Sequence, residues 1–191
     1  EVQNLRRSLE SIRGVWDELI VVDTGSVDRT KEVAASFGAI VFDFPWCDDF
    51  SAPRNAAIER ASGDWILFLD ADESFAAPKD LRVHLSRLME RAEMDAWLLP
   101  LRNVEQGKPN HGSVQYLLRL FQNRADLRYS GRIHENVVRQ GGNLALGYAP
   151  RGLLLLHTGY AAAIARTKSE RNLRILLRES ERVGDALPFA C

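Results

Sequence analysis

The sequence predicts an α/β protein, with a mostly parallel central sheet that carries helices on both faces and a partly antiparallel C-terminal half. Three observations predict it. Short apolar runs, Leu19–Val22, Ala39–Phe42 and Trp65–Leu69, alternate with stretches of helical periodicity as far as Phe75. The runs lead into or follow Gly, Asp and Ser punctuation, as strands buried on both faces of a parallel sheet do. Beyond Pro78 the rhythm changes, and two longer apolar segments flank a Gly- and Pro-containing loop, which reads as a hairpin.

The elements follow in order. Leu5, Leu9, Ile12 and Val15 or Trp16 recur at helical spacing, so an amphipathic helix comes first and Gly14 ends it. Leu19-Ile20-Val21-Val22-Asp23 is a buried strand, and Thr24-Gly25-Ser26 turns the chain. Asp28 and Thr30 start a helix through Val33 to Phe37 that Gly38 closes. Ala39 to Phe42 is the next strand. Ser51 is the candidate N-cap of a helix to about Ala61, with Pro53 tolerated in its first turn. The Trp65–Leu69 strand follows, and right-handed crossovers would put Asp23 and the Asp70-Ala71-Asp72-Glu73 cluster on one rim of a Rossmann-like sheet. Leu81, Leu85, Leu88 and Met89 mark a helix to about Ala92. Ala96–Leu101 and Val114–Phe121 form the hairpin around residues 105–112. Leu144–Tyr148 and Leu153–His157 are further short strands, and a last helix covers about Ala161 to Val183. Arg171, Arg174, Arg178 and Arg182 share one of its faces, a stripe expected to be solvated, with Glu170 placed to pair with Arg174.

The 191 residues suit one domain, or one domain with a small appendage: residues 1–75 and 76–160 read as its two halves, and 161–191 as a C-terminal helix with scope to lead to a further domain. Net charge is -1, so bulk electrostatics do not suggest nucleic acid. Charge is unevenly distributed: 15 acidic and 7 basic residues lie at or before Phe75, and 11 and 18 lie beyond it. Chance explains that asymmetry as well as a metal-holding half facing a phosphate-meeting half does. Cys47 and Cys191 make no disulfide framework, so a reducing compartment is the default. The leucine run at 153–156 is far too short to span a membrane.

Several residues could carry chemistry. In an extended strand Asp70 and Asp72 would share a side, with Glu73 aimed elsewhere. Two close carboxylates call for a cation, and a hard divalent ion holding a phosphate would serve; solvated loop acids would not need one. Asp23 could meet a nucleotide base or ribose, or simply form its turn. Arg54, one turn inside a helix facing the same rim, could meet an anion or lie on the surface. Gly131-Arg132-Ile133-His134-Glu135-Asn136 offers a general base in Glu135, or a surface turn. His157 could be a half-buried imidazole, or could join Asp72 in a metal shell and favour manganese over magnesium. His84 and His111 read as structural, and Asp28 as a helix cap.

Taken together, Val21-Val22-Asp23-Thr24-Gly25-Ser26-Val27-Asp28-Arg29-Thr30, Trp46-Cys47-Asp48-Asp49-Phe50-Ser51-Ala52-Pro53-Arg54-Asn55 and Gly63 to Glu73 resemble family 2 glycosyltransferases with the GT-A fold. The closer likeness is to the bacterial branch with lipooligosaccharide core glucosyltransferases and enzymes fused to tetratricopeptide repeats. The resemblance implies a nucleotide-sugar donor, most simply a UDP-sugar, inverting displacement, and Mn2+ or Mg2+ on the diphosphate. It implies a saccharide, lipid-linked or protein acceptor, a cytoplasmic setting in cell-envelope synthesis, and scope for peripheral association with the inner face of a membrane. By position, Asp23, Asp49, Arg54 and Asp70 would bind the donor nucleotide. Asp72, with His157, would hold the metal. The family's base lies in a later acidic motif that this chain does not display clearly, and Glu135 is the candidate for that part. Residues 1–75 would be the donor-binding half and 76–160 the acceptor-side half. The family's opening strand is not found before Glu1, and Pro53 replaces a small residue.

Two other readings of Asp70–Ser74 fit the chain poorly. The haloacid dehalogenase nucleophile motif belongs on a first strand with a paired Asp downstream, and an EF-hand loop would need Gly where Phe75 stands and Glu where Leu81 stands. A non-catalytic nucleotide- or protein-binding module of the same fold is the alternative to an enzyme.

Overall fold

The computed structural model describes residues 2–76, 79–104, 113–158 and 170–179. Helix α1 (Val2–Ser11) is followed by β1 (Ile20–Asp23), α2 (Thr30–Ser36), β2 (Ile40–Asp43), α3 (Ser51–Ile58), β3 (Trp65–Leu67), β4 (Glu73–Phe75) and α4 (Leu81–Met89). Strands β5 (Ala96–Asn103), β6 (Gln115–Gln122), β7 (Leu127–Ser130), β8 (Asn136–Arg139), β9 (Leu146–Tyr148) and β10 (Leu155–His157) come next. Residues 170–179 form a final helix, α5. The hairpin loop with His111, the rest of the expected last helix with Arg182, and Cys191 lie outside the described residues.

The sheet is less parallel than expected. Strands β1 and β2 pair in parallel, Ile20 opposite Ile40. Strand β3, however, pairs antiparallel with β6, and no ladder joins it to β1 among the described residues. The six-stranded sheet runs β3-β6-β5-β10-β4, with β9 also on β5. One edge of β5 is shared: Ala96–Leu98 takes β9 and Leu101–Asn103 takes β10, both in parallel. The β5–β6 hairpin forms as its two apolar runs predict, with a bulge between Trp97 and Leu98.

The core has two parts. On one side α1, α2 and α4 press Leu5, Leu9, Val33, Leu81 and Leu85 against Leu99, Leu101, Leu120 and Leu155 of the sheet. Leu99 and Leu155 are fully buried, each worth about 2 kcal/mol in removed apolar surface. On the other side Ile58, Phe121, Leu127, Tyr129 and Val137 form a smaller cluster beneath α3. Gly147 lies against the Trp97 ring so closely that any Cβ there would collide with it. Among the described residues no helix is long and apolar enough to cross a membrane.

Candidate active site

The Trp65–Leu69 run does not stay extended to its end. Only Trp65 to Leu67 are in the ladder, and all three are half-buried rather than sealed on both faces. The chain then folds back in a turn, closed by the bond from Glu73 N to Asp70 O at 2.9 Å, and continues into β4. The turn gives the carboxylates of Asp70 and Asp72 different partners.

Asp70 faces two arginines. Arg54 Nη2 donates to its Oδ1 at 2.8 Å, and Arg119 Nη2 to its Oδ2 at 2.9 Å. Arg119 Nη2 also donates to Glu73, which is 2% exposed, so Glu73 is a buried partner rather than a bystander. Burial alone would raise the pKa of Asp70, but Arg119 and Arg54 outweigh it and hold the carboxyl below its ordinary range. For Glu73 burial wins, helped by Asp70 and against Arg119, and its pKa is raised.

Arg54 bridges two carboxylates. Its Nε meets Glu135 Oε1 at 2.9 Å, while its guanidinium lies 4.5 Å from the Phe68 ring centre and 5.2 Å from that of Tyr129. The arginine therefore positions acids rather than standing free for an anion. Backbone stitching aligns α3 with the 131–136 segment: Phe50 N donates to Arg132 O, Ser51 Oγ to Gly131 O, and Asn55 exchanges two bonds with Tyr129. Ser51 is thus not the cap. Asp49 Oδ1 caps the helix by accepting from the amides of Ser51 and Ala52, at 2.9 and 3.1 Å.

Asp72 has a different partner, His157. In the ladder His157 of β10 lies opposite Glu73 of β4 and Asn103 of β5, and Thr158 N donates to Asp72 O. This register sets His157 Nε2 3.2 Å from Asp72 Oδ2, while Nδ1 lies 2.8 Å from Asn103 Oδ1. The two tautomers make different contacts: with the proton on Nε2 the ring donates to Asp72, and with it on Nδ1 the ring donates to the amide oxygen and turns a lone pair towards the carboxylate. In the second case two acceptors face each other, and a cation between them, a second proton or a metal ion, completes the pair. The donor set suits a divalent ion that takes its remaining ligands from phosphate and water. No group of three or more His, Cys, Asp or Glu side chains suited to a metal occurs among the described residues.

Asp23 is 4% exposed and accepts from the amides of Gly25 and Ser26 at 2.9 and 2.8 Å. Burial pushes its pKa up, but the Ser26 hydroxyl together with these two amides more than offsets it, and the carboxyl is held low. Asp23 therefore shapes the loop that carries Thr24. Asp28 accepts from Thr30 N and fits its reading as a cap.

A cavity of about 580 Å³ joins these groups. Thr24, Arg54, Asp70, Asp72, Glu135 and His157 line it, whereas Asp23 and Asp49 are not among its lining residues. Arg119 and Tyr129 complete the wall and were not singled out from sequence. A lone arginine in Leu117-Leu118-Arg119-Leu120-Phe121 was the available signal, since a charge buried in an apolar strand needs a carboxylate. Tyr129, in an apolar cluster, is pushed up to about 12 by burial, against the pull of Arg54 and Arg119. Helix α5 closes one side, and its arginine stripe is not simply solvated. Arg174 and Arg178 both donate to Asp48, at 2.8 and 2.6 Å, and Arg171 lies over the Trp46 and Phe50 rings.

A mixed sheet with acids gathered beyond β3 in one cavity defines a protein of the GT-A class, and comparison with known proteins agrees. The chain belongs to glycosyl transferase family 2, whose sequence model matches residues 1–142. A TPR repeat-containing protein of Synechococcus elongatus is 44% identical over 139 residues, covering 72% of this chain and 33% of its own length. The prophage-derived glycosyltransferase SunS of Bacillus subtilis is 26% identical over 188 residues, covering 94% of this chain and 42% of its own. The chain thus spans less than half the length of either relative. Among solved structures a mycobacterial protein superposes with a TM-score of 0.53 at 17% identity, over 84% of this chain and 63% of that one. TarS of S. aureus in complex with UDP-GlcNAc gives 0.52 at 15% identity, over 76% and 55%.

Proposed function

We propose that the chain moves a sugar from a nucleotide-diphosphate donor, best read as a UDP-sugar, to an acceptor hydroxyl with inversion at the anomeric carbon. The observation that carries this reading is the single cavity shared by Asp70, Asp72, Arg54, Glu135 and His157. The likeness of fold to a protein solved with UDP-GlcNAc supports the choice of donor.

Each residue has a part in this reading. Asp23 holds the Thr24–Ser26 loop against the uracil or ribose, and Asp70, kept ionised by two arginines, faces the ribose. Asp49 fixes the start of α3 and so the place of Arg54, which aligns Asp70 with Glu135. Glu135 keeps Oε2 for the acceptor hydroxyl, since Oε1 is committed to Arg54 and no further bond to this carboxylate occurs among the described residues. Asp72 and His157 would hold a divalent ion, Mn2+ or Mg2+, whose chemistry is to offset charge on the departing diphosphate. Residues 1–75 then form the donor half and 76–160 the acceptor half. A saccharide, lipid-linked or protein acceptor of the cell envelope fits the family, as does peripheral attachment to a membrane.

The test is a thermal-shift screen of UDP-, GDP- and dTDP-sugars with and without manganese, on the wild type and Asp72→Ala. A manganese-dependent rise with a UDP-sugar, lost in the variant, is expected. No rise with any nucleotide sugar would overturn donor binding.

A further inference from the structure

The charged groups of the cavity wall are unequally committed. Arg54 is held by Asp70 and Glu135, and Arg119 by Asp70 and Glu73, so two guanidinium groups serve three carboxylates. Asp72 adds a further negative charge to the same wall. A diphosphate entering this cavity needs positive charge that the carboxylates have not already taken. Arg171 is the lining arginine that makes no ion pair among the described residues; its Nε and Nη2 reach only the neighbouring amide oxygen of Asn172.

Its surroundings hold it in place. The guanidinium lies 4.8 Å from the Phe50 ring centre and 5.5 Å from that of Trp46, which themselves meet edge to face at 4.8 Å. Helix α5 is anchored around it by Arg174 and Arg178 on Asp48 and by Glu179 on Arg132 Nε at 3.1 Å. Asp48 itself sits at φ 56°, and Trp46 Nε1 donates to it, so the loop beneath the helix is shaped to receive these arginines. Partial burial lowers the pKa of Arg171, the mark of a cation taken out of water without a full partner.

We propose that Arg171 binds the diphosphate of the donor nucleotide, in the cavity that the Asp72–His157 pair also lines. This rests on the donor-binding reading above. The aromatic rings hold the guanidinium plane, and an Arg fork matches phosphate oxygens in pairs. Asn172 lines the cavity beside it and adds an amide to the same wall.

Isothermal titration with UDP, GDP and dTDP, and with the matching nucleosides, at fixed manganese tests this on the wild type, Arg171→Gln and Arg171→Lys. For the diphosphate that the wild type binds, Arg171→Gln is expected to weaken Kd by roughly tenfold to a hundredfold, the range for a charged hydrogen bond. Nucleoside affinity should hold, and Arg171→Lys should recover part of the loss. An unchanged diphosphate Kd in Arg171→Gln would overturn the proposal while leaving donor binding intact. Equal losses for nucleoside and diphosphate would also overturn it, because Arg171 would then only hold the wall. A wild type that binds no diphosphate at all would overturn both readings.

Discussion

Asp72 Oδ2 and His157 Nε2 face each other at 3.2 Å because β10 runs between β4 and β5, with Asn103 fixing the far side of the imidazole. If this pair holds a divalent ion, Asn103 orients the ring without touching the metal. Asn103→Leu is then expected to weaken manganese binding in the presence of UDP by about tenfold to a hundredfold, as outer-shell losses do. His157→Ala should weaken it further. Titration of manganese at saturating UDP checks both, and equal affinity in Asn103→Leu and wild type would rule the orienting role out.

Arg119 ties Asp70 to Glu73 in the interior, and removing it leaves buried carboxylate charge without its partner. Arg119→Met is expected to lose about 3–5 kcal/mol of stability. Asp70 keeps Arg54, so adding Glu73→Gln removes the acid left without a cation and should restore part of that loss. Urea unfolding of the single and double variants measures the coupling, and strictly additive losses would show that the pair does not act as a unit.

Acid should act through Asp70 with a definite sign. Its folded pKa lies below the ordinary 3.8, so the stability it contributes is present above that value and is lost as pH falls through the folded one. Glu73, raised from 4.5, works in the opposite sense: its contribution is present below 4.5 and is lost as pH rises through its folded value. Asp70→Asn should therefore melt below the wild type near neutral pH, and the gap should narrow once pH drops below about 4. Melting curves across that range decide it; a gap of constant width would place the shift elsewhere.

Local pattern and tertiary pairing divide what the sequence made legible. α1, β1, α2, β2 and the β5–β6 hairpin could be read because their apolar period and turn residues are local. β4 could not, since Glu73-Ser74-Phe75 looks like the tail of an acidic loop and becomes a strand only through its ladder to β10. The same holds for β3, whose antiparallel partner β6 begins far along the chain. At the site, Asp70 and Asp72 stand out as carboxylates after an apolar run, but the turn that gives them different partners rests on a backbone bond. The arginine stripe of α5 looks solvated because Glu170 and Arg174 satisfy helical spacing, whereas the partner that Arg174 finds, Asp48, lies 126 residues away.

Glu135 gives the sharpest separation of an enzyme from a binding module. Its Oε1 is held by Arg54 Nε at 2.9 Å, and the side chain is 13% exposed, so a base there works with one free oxygen in a nearly dry wall. A general base of this kind contributes about 10²–10⁴ in rate. Glu135→Gln keeps an oxygen for Arg54 but cannot take the acceptor proton. It is therefore expected to cut kcat by that factor while the Kd for UDP stays within about twofold of wild type, a change too small to signal a lost contact. Arg54→Lys should lose on both counts, because one ammonium cannot span Asp70 and Glu135 together. UDP release measured with a panel of sugar acceptors, alongside titration of UDP, reads the two effects apart. Turnover that survives Glu135→Gln at the wild-type rate would remove Glu135 from the chemistry and leave it as the residue that holds Arg54.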